Sequence, residues 1–459
     1  MNSNKKVVII GAGISGLTSA YLLHKDGFDV TVLEEKDKVG GSIETVVENG
    51  FLFDRGPNSA LETTPIIAQL VEELNLQDQF VYANKRGNKR YILRNNELHA
   101  LPMSPPAFIK SKLFSGKAKW GMMAEPFRGR STDGYYQSVA EFVTRRLGKE
   151  FLDYAINPFV AGVYAGNPED LSIKSAFPKL YALEEDYGGL LVGTIRSIRK
   201  RKKRKEKSKQ SAKMISFKDG MQILPKAIQN FLGDRVKLSS PVISVKKTAE
   251  GKYGVTYKEG DRRFTLLTDV VISTVPAFKA GELFGHFDEK LKKHFNAIYY
   301  PPVLVIYLAY NREDVGHPLD GFGFLIPSKE NKSFLGAIWS SVIFPNRADD
   351  DKAAFTLFVG GSRNPSFVDK VEDVVIKKAK KEFEEIMKIN SEPVYITKRF
   401  WSRAIPQYTI GYVEHENYFD HFEKDNKGII LSGNYRGGIS VGDCITNSEV
   451  VVNKVKKLC

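Results

Sequence analysis

The chain has 459 residues, of which 42% are hydrophobic and 27% are charged, and this composition is typical of a globular protein with several domains. Its formal net charge is +14, but the segment Arg199–Gln210 contains nine basic residues and one acidic residue, so the rest of the chain carries only +6. This basic run contains no aromatic residue, and the pattern therefore argues against a nucleic-acid partner.

The first predicted elements are a strand, a glycine turn and a helix. Lys6–Ile10 is an apolar run typical of a buried strand, and Gly11-Ala-Gly-Ile-Ser-Gly16 follows it with the pattern G-x-G-x-x-G. In this pattern the first glycine permits a tight turn, the second lets the backbone approach a pyrophosphate, and the third lets the helix pack against the strand. A helix over residues 18–25 would then point N–H groups at phosphate, with Ile14 and Ser15 beside it.

The second predicted strand, Asp29–Leu33, ends at two acidic residues, Glu34 and Glu35. Glu34 lies 21 residues after Gly13, where a carboxylate can accept hydrogen bonds from a pair of ribose hydroxyls. An acid at this position argues against a 2′-phosphate. The first 34 residues therefore predict a Rossmann-like nucleotide site.

Two more glycine turns follow, at Val39-Gly-Gly41 and in Gly50–Pro57. A diglycine so soon after the acidic strand end resembles the FAD-binding oxidoreductases of the glutathione-reductase and amine-oxidase type. The resemblance implies an FAD site that includes Gly40, Gly41, Ser42, Gly56, Pro57 and Asn58. Amine oxidases usually have arginine after the diglycine, and Ser42 departs from that pattern.

Three later segments resemble parts of the same nucleotide site. They are a strand at Ser240–Val245, a buried strand and turn at Asp269–Pro276, and a strand ending in a glycine turn at Gly428–Asn434, followed by a helix over residues 443–457. Helix N–H groups at this last turn would face the flavin, where reduction builds negative charge. The resemblance adds further residues to the cofactor site, namely Val242, Thr274, Trp401, Gly433, Asn434, Ile439, Ser440 and Val441. Neither cysteine lies in a stretch that resembles a flavin attachment site, so we expect non-covalent FAD.

Most of the remaining chain resembles the protoporphyrinogen oxidase family of flavoenzymes from haem biosynthesis. The matching stretches are collinear and include Gly56–Ser59, Arg90–Leu93, Asn157–Pro168, Ala176–Leu180, Gly321–Ser328, Phe344–Arg347, Phe358–Arg363, Ile405–Tyr408 and Gly433–Gly438. A generic flavin amine oxidase or a carotenoid desaturase would share the FAD segments and lack Asn157-Pro-Phe-Val-Ala-Gly-Val-Tyr-Ala-Gly166.

The resemblance implies oxidation of protoporphyrinogen IX to protoporphyrin IX, with removal of six hydrogens and with O2, giving H2O2, or a quinone as acceptor. The alternative is oxidation of coproporphyrinogen III, which has four propionates rather than two. We expect no catalytic side chain and no metal, because the flavin carries the chemistry and the protein binds, orients and excludes solvent.

The resemblance also assigns residues to the substrate. Arg90 would pair with a propionate of the substrate. The alternative is that Arg90 is only a solvated cation beside Lys89. The macrocycle would be lined by Gly323, Leu325, Phe322, Ile338 and Phe358, all of which could equally be core residues. The carbonyl of Gly162 would steer a ring N–H, unless this glycine only serves a turn.

The predicted architecture is α/β with three domains. A discontinuous Rossmann-like FAD-binding domain would comprise residues 1–62, 216–284 and 401–459. An α+β substrate-binding domain would comprise residues 63–93 and 285–400. A mostly helical membrane-associated insertion would comprise residues 94–215, with a solvated basic loop at 199–210.

Location and partners complete the expectation. The N-terminus does not resemble a signal peptide, and no window approaches 18 uninterrupted apolar residues. Ser104–Arg130 interleaves aromatic and aliphatic residues with lysine and arginine, a pattern that fits either a membrane headgroup boundary or a helical core. The resemblance implies a cytoplasmic protein held peripherally at the inner face of the cell membrane, a homodimer, and hand-over of product to ferrochelatase.

Overall fold

A computed structural model describes residues 5–131, 136–204 and 212–458, and for residues 198–204 it describes the backbone only. The strands are β1 (Lys6–Ile10), β2 (Asp29–Leu33), β3 (Thr45–Glu48), β4 (Phe51–Asp54), β5 (Ala60–Leu61), β6 (Phe80–Tyr82), β7 (Tyr91–Arg94), β8 (Glu97–Ala100), β9 (Met214–Phe217), β10 (Val236–Lys237), β11 (Val242–Lys247), β12 (Tyr253–Glu259), β13 (Arg262–Thr268), β14 (Val270–Ser273), β15 (Val303–Asn311), β16 (Gly323–Leu325), β17 (Gly336–Ile338), β18 (Lys352–Gly360), β19 (Tyr395–Trp401) and β20 (Ile429–Leu431).

The α-helices are α1 (Ile14–Lys25), α2 (Pro65–Glu73), α3 (Pro105–Lys110), α4 (Gly116–Met123), α5 (Val139–Leu147), α6 (Lys149–Phe151), α7 (Asn157–Tyr164), α8 (Ile173–Ala176), α9 (Pro178–Tyr187), α10 (Leu190–Arg204), α11 (Ile223–Leu232), α12 (Ala277–Phe284), α13 (Glu289–Asn296), α14 (Ser340–Ile343), α15 (Glu372–Met387), α16 (Tyr412–Asp425) and α17 (Val441–Leu458). A π-helical segment, Leu152–Ile156, joins α6 to α7.

A five-stranded parallel sheet is formed from segments far apart in the chain, in the order β10-β2-β1-β14-β20. Its strands are short, apolar and buried, as expected for a parallel sheet covered on both faces. Helices α1 and α17 pack on one face, and the Ser448 hydroxyl donates to the Ser15 carbonyl at 3.1 Å. Because the strands are parallel, their carboxyl ends meet at one edge.

A seven-stranded sheet forms a second layer, in the order β19-β15-β18-β17-β16-β7-β8. Strands β15 and β18, which have a neighbouring strand on each side, are mostly buried, because both of their faces are largely covered. One face packs on α15 through Phe355, Leu357 and Phe383. The other face, through Val303 and Tyr307, packs against the β3–β4 hairpin. The hairpin therefore links this sheet to the first one.

The mixed α/β fold is confirmed. Most of the predicted insertion is helical, from α3 to α10, but its first residues form β8, which pairs with β7 in the seven-stranded sheet. The helix predicted over 18–25 begins at Ile14, and the helix predicted over 443–457 begins at Val441. The division into three domains stays a prediction.

The basic run is not a loop where it is described. Helix α10 continues through Arg204, so the predicted loop is wrong for residues 199–204. Lysine and arginine are good helix formers, and successive residues point in different directions around a helix, which separates their charges. Residues 205–210 lie outside the described residues. In the part of the chain that the structure describes, no helix combines the length and apolarity needed to cross a bilayer.

A buried ion network connects the 3-10 turn after α4 with α5, α9 and the start of α10. Arg146 and Glu125 are both 0% exposed and form an ion pair at 3.2 Å, and Arg146 also pairs with Glu184 at 2.9 Å. The Glu125 carboxylate accepts the backbone N–H groups of Leu190 at 2.7 Å and Leu191 at 3.1 Å. Glu125 therefore compensates a buried guanidinium and caps the first turn of α10.

The variant Glu125→Ala is expected to destabilise the protein by about 3 kcal/mol, because it leaves Arg146 only partly compensated and removes the cap. Denaturant unfolding and hydrogen exchange of α10 would measure the effect. The control is Glu282→Ala, which removes an exposed partner of Lys279 and should cost below about 1 kcal/mol. Equal unfolding midpoints for the two variants would contradict the role of Glu125.

Candidate functional site

The N-terminal glycine turn lies at the carboxyl edge of the parallel sheet. Gly11 has φ +101°, and a Cβ on Gly16 would lie 2.0 Å from the Gly11 carbonyl oxygen, so these two glycines allow the turn and the close packing of α1 on β1. A Cβ on Gly13 would meet nothing within 4 Å. Gly13 is also the N-cap of α1 and supplies no side-chain cap. The N-terminus of α1 therefore has both open space at Gly13 and N–H groups without a side-chain cap, and the binding of a phosphate group requires both.

Glu34 occupies the carboxyl end of β2, beside this turn. It is 6% exposed, and its carboxylate accepts the N–H groups of Ala12 at 2.6 Å and Lys36 at 3.1 Å. These two bonds fix both carboxylate oxygens and leave lone pairs for further donors. Glu35, the neighbouring acid, is exposed.

The diglycine turn joins the first turn directly. Gly40 donates its N–H to the Ala12 carbonyl at 2.9 Å, and a Cβ on Gly41 would lie 3.2 Å from the Gly13 Cα. A Cβ on Gly56 would lie 1.9 Å from the Ser42 carbonyl oxygen. The predicted residues of this region, Gly40–Ser42 and Gly56–Asn58, are therefore brought together. The Lys36 ammonium lies 3.5 Å from the Gly41 carbonyl oxygen and brings a positive charge to a turn that lacks the usual arginine.

The later segments reach the same edge. The Thr274 hydroxyl, at the end of β14, donates to the carbonyls of Ile10 and Gly11 at 3.0 Å. Val242 begins β11, two residues after Ser240, whose N–H donates to the Glu34 carbonyl at 2.7 Å. Gly433 and Asn434 follow β20, the strand next to β14.

Helix α17 starts at this edge. Its first residue is Val441, because the Ser440 hydroxyl accepts the N–H of Asp443 at 3.1 Å and caps the helix. The half-buried Ile439 precedes this cap. The predicted cofactor residues from the C-terminal segment thus surround a helix N-terminus, where the macrodipole favours negative charge.

Trp401 lies at the end of β19, and its indole N–H donates to the Arg55 carbonyl at 2.9 Å. This bond fixes the backbone next to Gly56. Two residues that the sequence reasoning missed act in the same place. The Tyr307 hydroxyl donates to the Asp54 carbonyl at 2.8 Å, and buried Arg347 lies 3.6 Å from the Asp54 carboxylate.

The predicted substrate residues gather on adjacent strands. Gly323 pairs with Ile338, and Leu325 pairs with Gly336, which pairs in turn with Phe358. The side chains of Leu325, Ile338 and Phe358 are only partly buried. Helix α7 closes on them, since a Cβ on Gly162 would lie 2.7 Å from the Leu325 side chain. Gly162 lies in the last turn of this helix and not in a loop turn.

Arg90 lies at one end of this strip, just before β7. Its guanidinium carbon lies 5.6 Å from the ring centroid of Phe322, and the residue is exposed, although partial desolvation of the guanidinium lowers its pKa. Neighbouring Lys89 pairs with Asp320, whereas Arg90 has no ion pair within the described part of the chain. The two neighbouring cations therefore differ in the described part of the chain: Lys89 has a carboxylate partner and Arg90 has none.

These features define a class of protein. Four chain segments deliver a glycine turn with open space, a fixed acid, a diglycine turn and a helix N-terminus to one edge of a parallel sheet, and this arrangement fits an extended dinucleotide such as that of a flavin cofactor.

The comparisons with known proteins agree with this class. Residues 14–449 match the family described as "Flavin containing amine oxidoreductase". Protoporphyrinogen oxidase 2, chloroplastic/mitochondrial, from Arabidopsis thaliana is 34% identical over 97% of this chain and 92% of its own length. Coproporphyrinogen III oxidase from Bacillus subtilis (strain 168) is 28% identical over 98% of both. A crystal structure from Exiguobacterium sp. 255-15 matches with a TM-score of 0.81 over 99% of both chains, at 21% identity, which shows the fold alone.

The chain belongs to the flavin-containing amine oxidoreductases, in the branch that includes the plant protoporphyrinogen oxidases. It is an oxidoreductase that uses a flavin cofactor.

Two glycine variants separate the packing function of the first turn from its binding function. Gly16→Ala is expected to destabilise the protein by about 2 kcal/mol, because the new Cβ overlaps the Gly11 carbonyl. Gly13→Ala should change stability by below about 0.5 kcal/mol, since its Cβ meets open space, but should weaken flavin binding. Thermal unfolding of the apo-protein and flavin titration would measure both. An unchanged flavin affinity in Gly13→Ala would contradict the phosphate site.

Proposed function

We propose that this protein oxidises protoporphyrinogen IX to protoporphyrin IX. The observation that carries the proposal is the full-length likeness to plant protoporphyrinogen oxidases. It is combined with Arg90, which has no ion pair among the residues that the structure describes and lies at one end of a partly buried apolar strip. The substrate has the same character, namely a large apolar ring with carboxylate side chains.

The cofactor in this proposal is FAD, bound without a covalent bond. Its pyrophosphate would lie at Gly13, Ser15 and the N-terminus of α1, and a ribose would lie at Glu34. Lys36 would supply the positive charge that the usual arginine provides in relatives. Burial raises the pKa of the Cys444 thiol to about 11, so that this thiol stays protonated and unreactive at neutral pH.

The bound flavin would supply the redox chemistry by accepting hydride equivalents from the porphyrinogen. The protein binds and orients the macrocycle. Arg90 would anchor a propionate through a charge-assisted hydrogen bond, and Phe322 supports its guanidinium. Leu325, Ile338 and Phe358 would contact the ring and exclude water, and the Gly162 carbonyl would accept a hydrogen bond from a ring N–H. Either O2 or a quinone would serve as acceptor.

A second candidate function is oxidation of coproporphyrinogen III. It is favoured by the full-length likeness to the Bacillus subtilis coproporphyrinogen III oxidase. The two substrates share the macrocycle and differ in carboxylates, four against two. Porphyrin fluorescence measured with each porphyrinogen in turn would distinguish them.

The variant Arg90→Ala is expected to raise KM for protoporphyrinogen about tenfold or more, because one charge-assisted hydrogen bond is lost. FAD content should not change, since Arg90 lies away from the nucleotide turns. Lys89→Ala is the matched control, because Lys89 already pairs with Asp320, and it should leave KM within about twofold. Equal KM values for Arg90→Ala and the wild type would remove Arg90 from propionate binding.

We also infer a peripheral contact with anionic membranes. The apolar residues of the 104–130 region differ in exposure. Leu113 and Phe114 are buried in a small core, against which Phe108 packs. Ile109, Trp120, Met123 and Phe127 are exposed, and together with the exposed Met103 just before this region they are here called the apolar tip. Trp120 is 73% and Phe127 91% exposed; Lys117 and Lys119 precede Trp120 in the sequence, and Arg128 and Arg130 follow Phe127. Exposed aromatic residues beside cations suit the headgroup boundary of a lipid bilayer.

The double variant Trp120→Ser with Phe127→Ser is expected to reduce binding to phosphatidylglycerol-containing vesicles at least about tenfold, because two large apolar side chains no longer enter the interface. Co-sedimentation would measure binding. The control, Val371→Ser with Val374→Ser, changes two exposed apolar residues elsewhere and should bind like wild type. Equal sedimentation of both double variants would contradict a membrane contact through the apolar tip.

A further inference from the structure

The segment Ile405–Tyr412 contacts the turn before α17 through two tyrosine hydroxyls. Tyr408 is 2% exposed, and its hydroxyl donates to the Asn434 carbonyl at 2.7 Å and accepts the N–H of Gly438 at 3.1 Å. The Tyr412 hydroxyl donates to the Tyr435 carbonyl at 2.6 Å. The two tyrosine rings stack with their centroids 4.4 Å apart. One phenol thus bridges the beginning and the end of the Gly433–Gly438 turn.

This turn needs external support. Gly433, Gly437 and Gly438 have φ values of +126°, +79° and +124°. Glycine adopts these conformations freely, but without a side chain it makes no packing contacts that would fix them. The Asn447 amide also donates to the Arg436 carbonyl at 3.1 Å. The bonds from Tyr408 and Tyr412 therefore restrict this segment at its two glycine-containing ends, while the buried Tyr435 and the ion pairs of Arg436 hold its middle.

The position of Tyr408 is itself fixed by the backbone around it. Its carbonyl accepts the N–H of Ser172 at 2.8 Å, and the preceding Gln407 donates its N–H to the Tyr299 carbonyl at 2.9 Å. The Gln407 side-chain amide donates to the Tyr164 carbonyl at 2.8 Å. Burial also raises the pKa of Tyr408 well above its usual value, so its hydroxyl keeps its proton and remains a donor at working pH.

We propose that Tyr408 is a positioning residue for the flavin. Its hydroxyl fixes the conformation of the Gly433–Gly438 turn and thereby the position of the N-terminus of α17. This inference rests on the proposed function, because it places the flavin against Asn434, Ile439 and Val441. Tyr412 supports the same turn by donating its hydroxyl to the next carbonyl in the chain, that of Tyr435. A loss of the Tyr408 hydroxyl leaves the ring in place and frees both ends of the turn.

A buried tyrosine could instead serve only the stability of the fold, and the two roles predict different results. A purely structural hydroxyl changes the unfolding free energy and leaves the affinity of the folded apo-protein for FAD unchanged. A positioning hydroxyl changes the affinity, the visible absorption spectrum and the midpoint potential of the bound flavin, because the helix N–H groups shift relative to it.

The test compares Tyr408→Phe with Tyr253→Phe. Tyr253 is a matched control, since it is fully buried and its hydroxyl donates to a backbone carbonyl, that of Lys427, at 2.8 Å. Both variants lose one hydroxyl bond to a carbonyl, and Tyr408→Phe also leaves the Gly438 N–H without this acceptor. Apo-protein is titrated with FAD, and unfolding, the flavin spectrum and the midpoint potential are measured on the full chain.

We expect Tyr408→Phe to raise the Kd for FAD about tenfold and to alter the flavin spectrum and potential, while Tyr253→Phe stays within about twofold of wild type. A Kd for Tyr408→Phe equal to that of Tyr253→Phe overturns the inference. If Tyr408→Phe does not fold, Tyr412→Phe decides, with an expected rise of about threefold and no rise as the contrary result. A wild-type protein that binds no FAD overturns the proposed function itself.

Discussion

The parallel pairing of β1 with β2 on one side and β14 on the other is the constraint on which the candidate site depends. It places the carboxyl ends of these strands at one edge, so that Gly11, Glu34 and Thr274 become neighbours although they are far apart in the chain. The bond from Ala12 N–H to the Glu34 carboxylate, at 2.6 Å, joins the first two of these strand ends directly. The pairing of β20 with β14 then adds the C-terminal turn and α17.

The β3–β4 hairpin transmits this arrangement to the seven-stranded sheet. Bonds from Tyr307 and Trp401 to the carbonyls of Asp54 and Arg55 hold the end of the hairpin, which leads into Gly56. Arg347 adds an ion pair with Asp54. One short stretch of backbone therefore connects β15 and β19 of the seven-stranded sheet with the turns that fit the nucleotide, and buried polar bonds fix it in place.

Residues with a local requirement could be predicted from the sequence. Gly11 and Gly16 follow from turn geometry and close packing, and the apolar runs of β1, β2 and β14 follow from burial on both faces of a parallel sheet. Residues that act through distant neighbours could not be predicted in this way. In the sequence, Tyr408 is one member of a family motif. Its two hydrogen bonds, to Asn434 and from Gly438, can be predicted only when the positions of α16 and α17 are known. The basic run was misjudged because charge density suggested a loop, whereas local propensity continues the helix through Arg204.

The sequence by itself determined the nucleotide site, because the spacing of its glycines and its acid matches the shape of a nucleotide within one short segment. The resemblance of the later segments to FAD-binding oxidoreductases then indicated a flavoprotein. Tertiary structure decided which of the ambiguous residues face solvent and which do not. It buried Leu113 and Phe114 and left Trp120 and Phe127 exposed. Among the described residues it paired Lys89 with Asp320 and gave Arg90 no ion pair. These outcomes depend on contacts between elements distant in the chain, and the local pattern of apolar and charged residues is the same in either case.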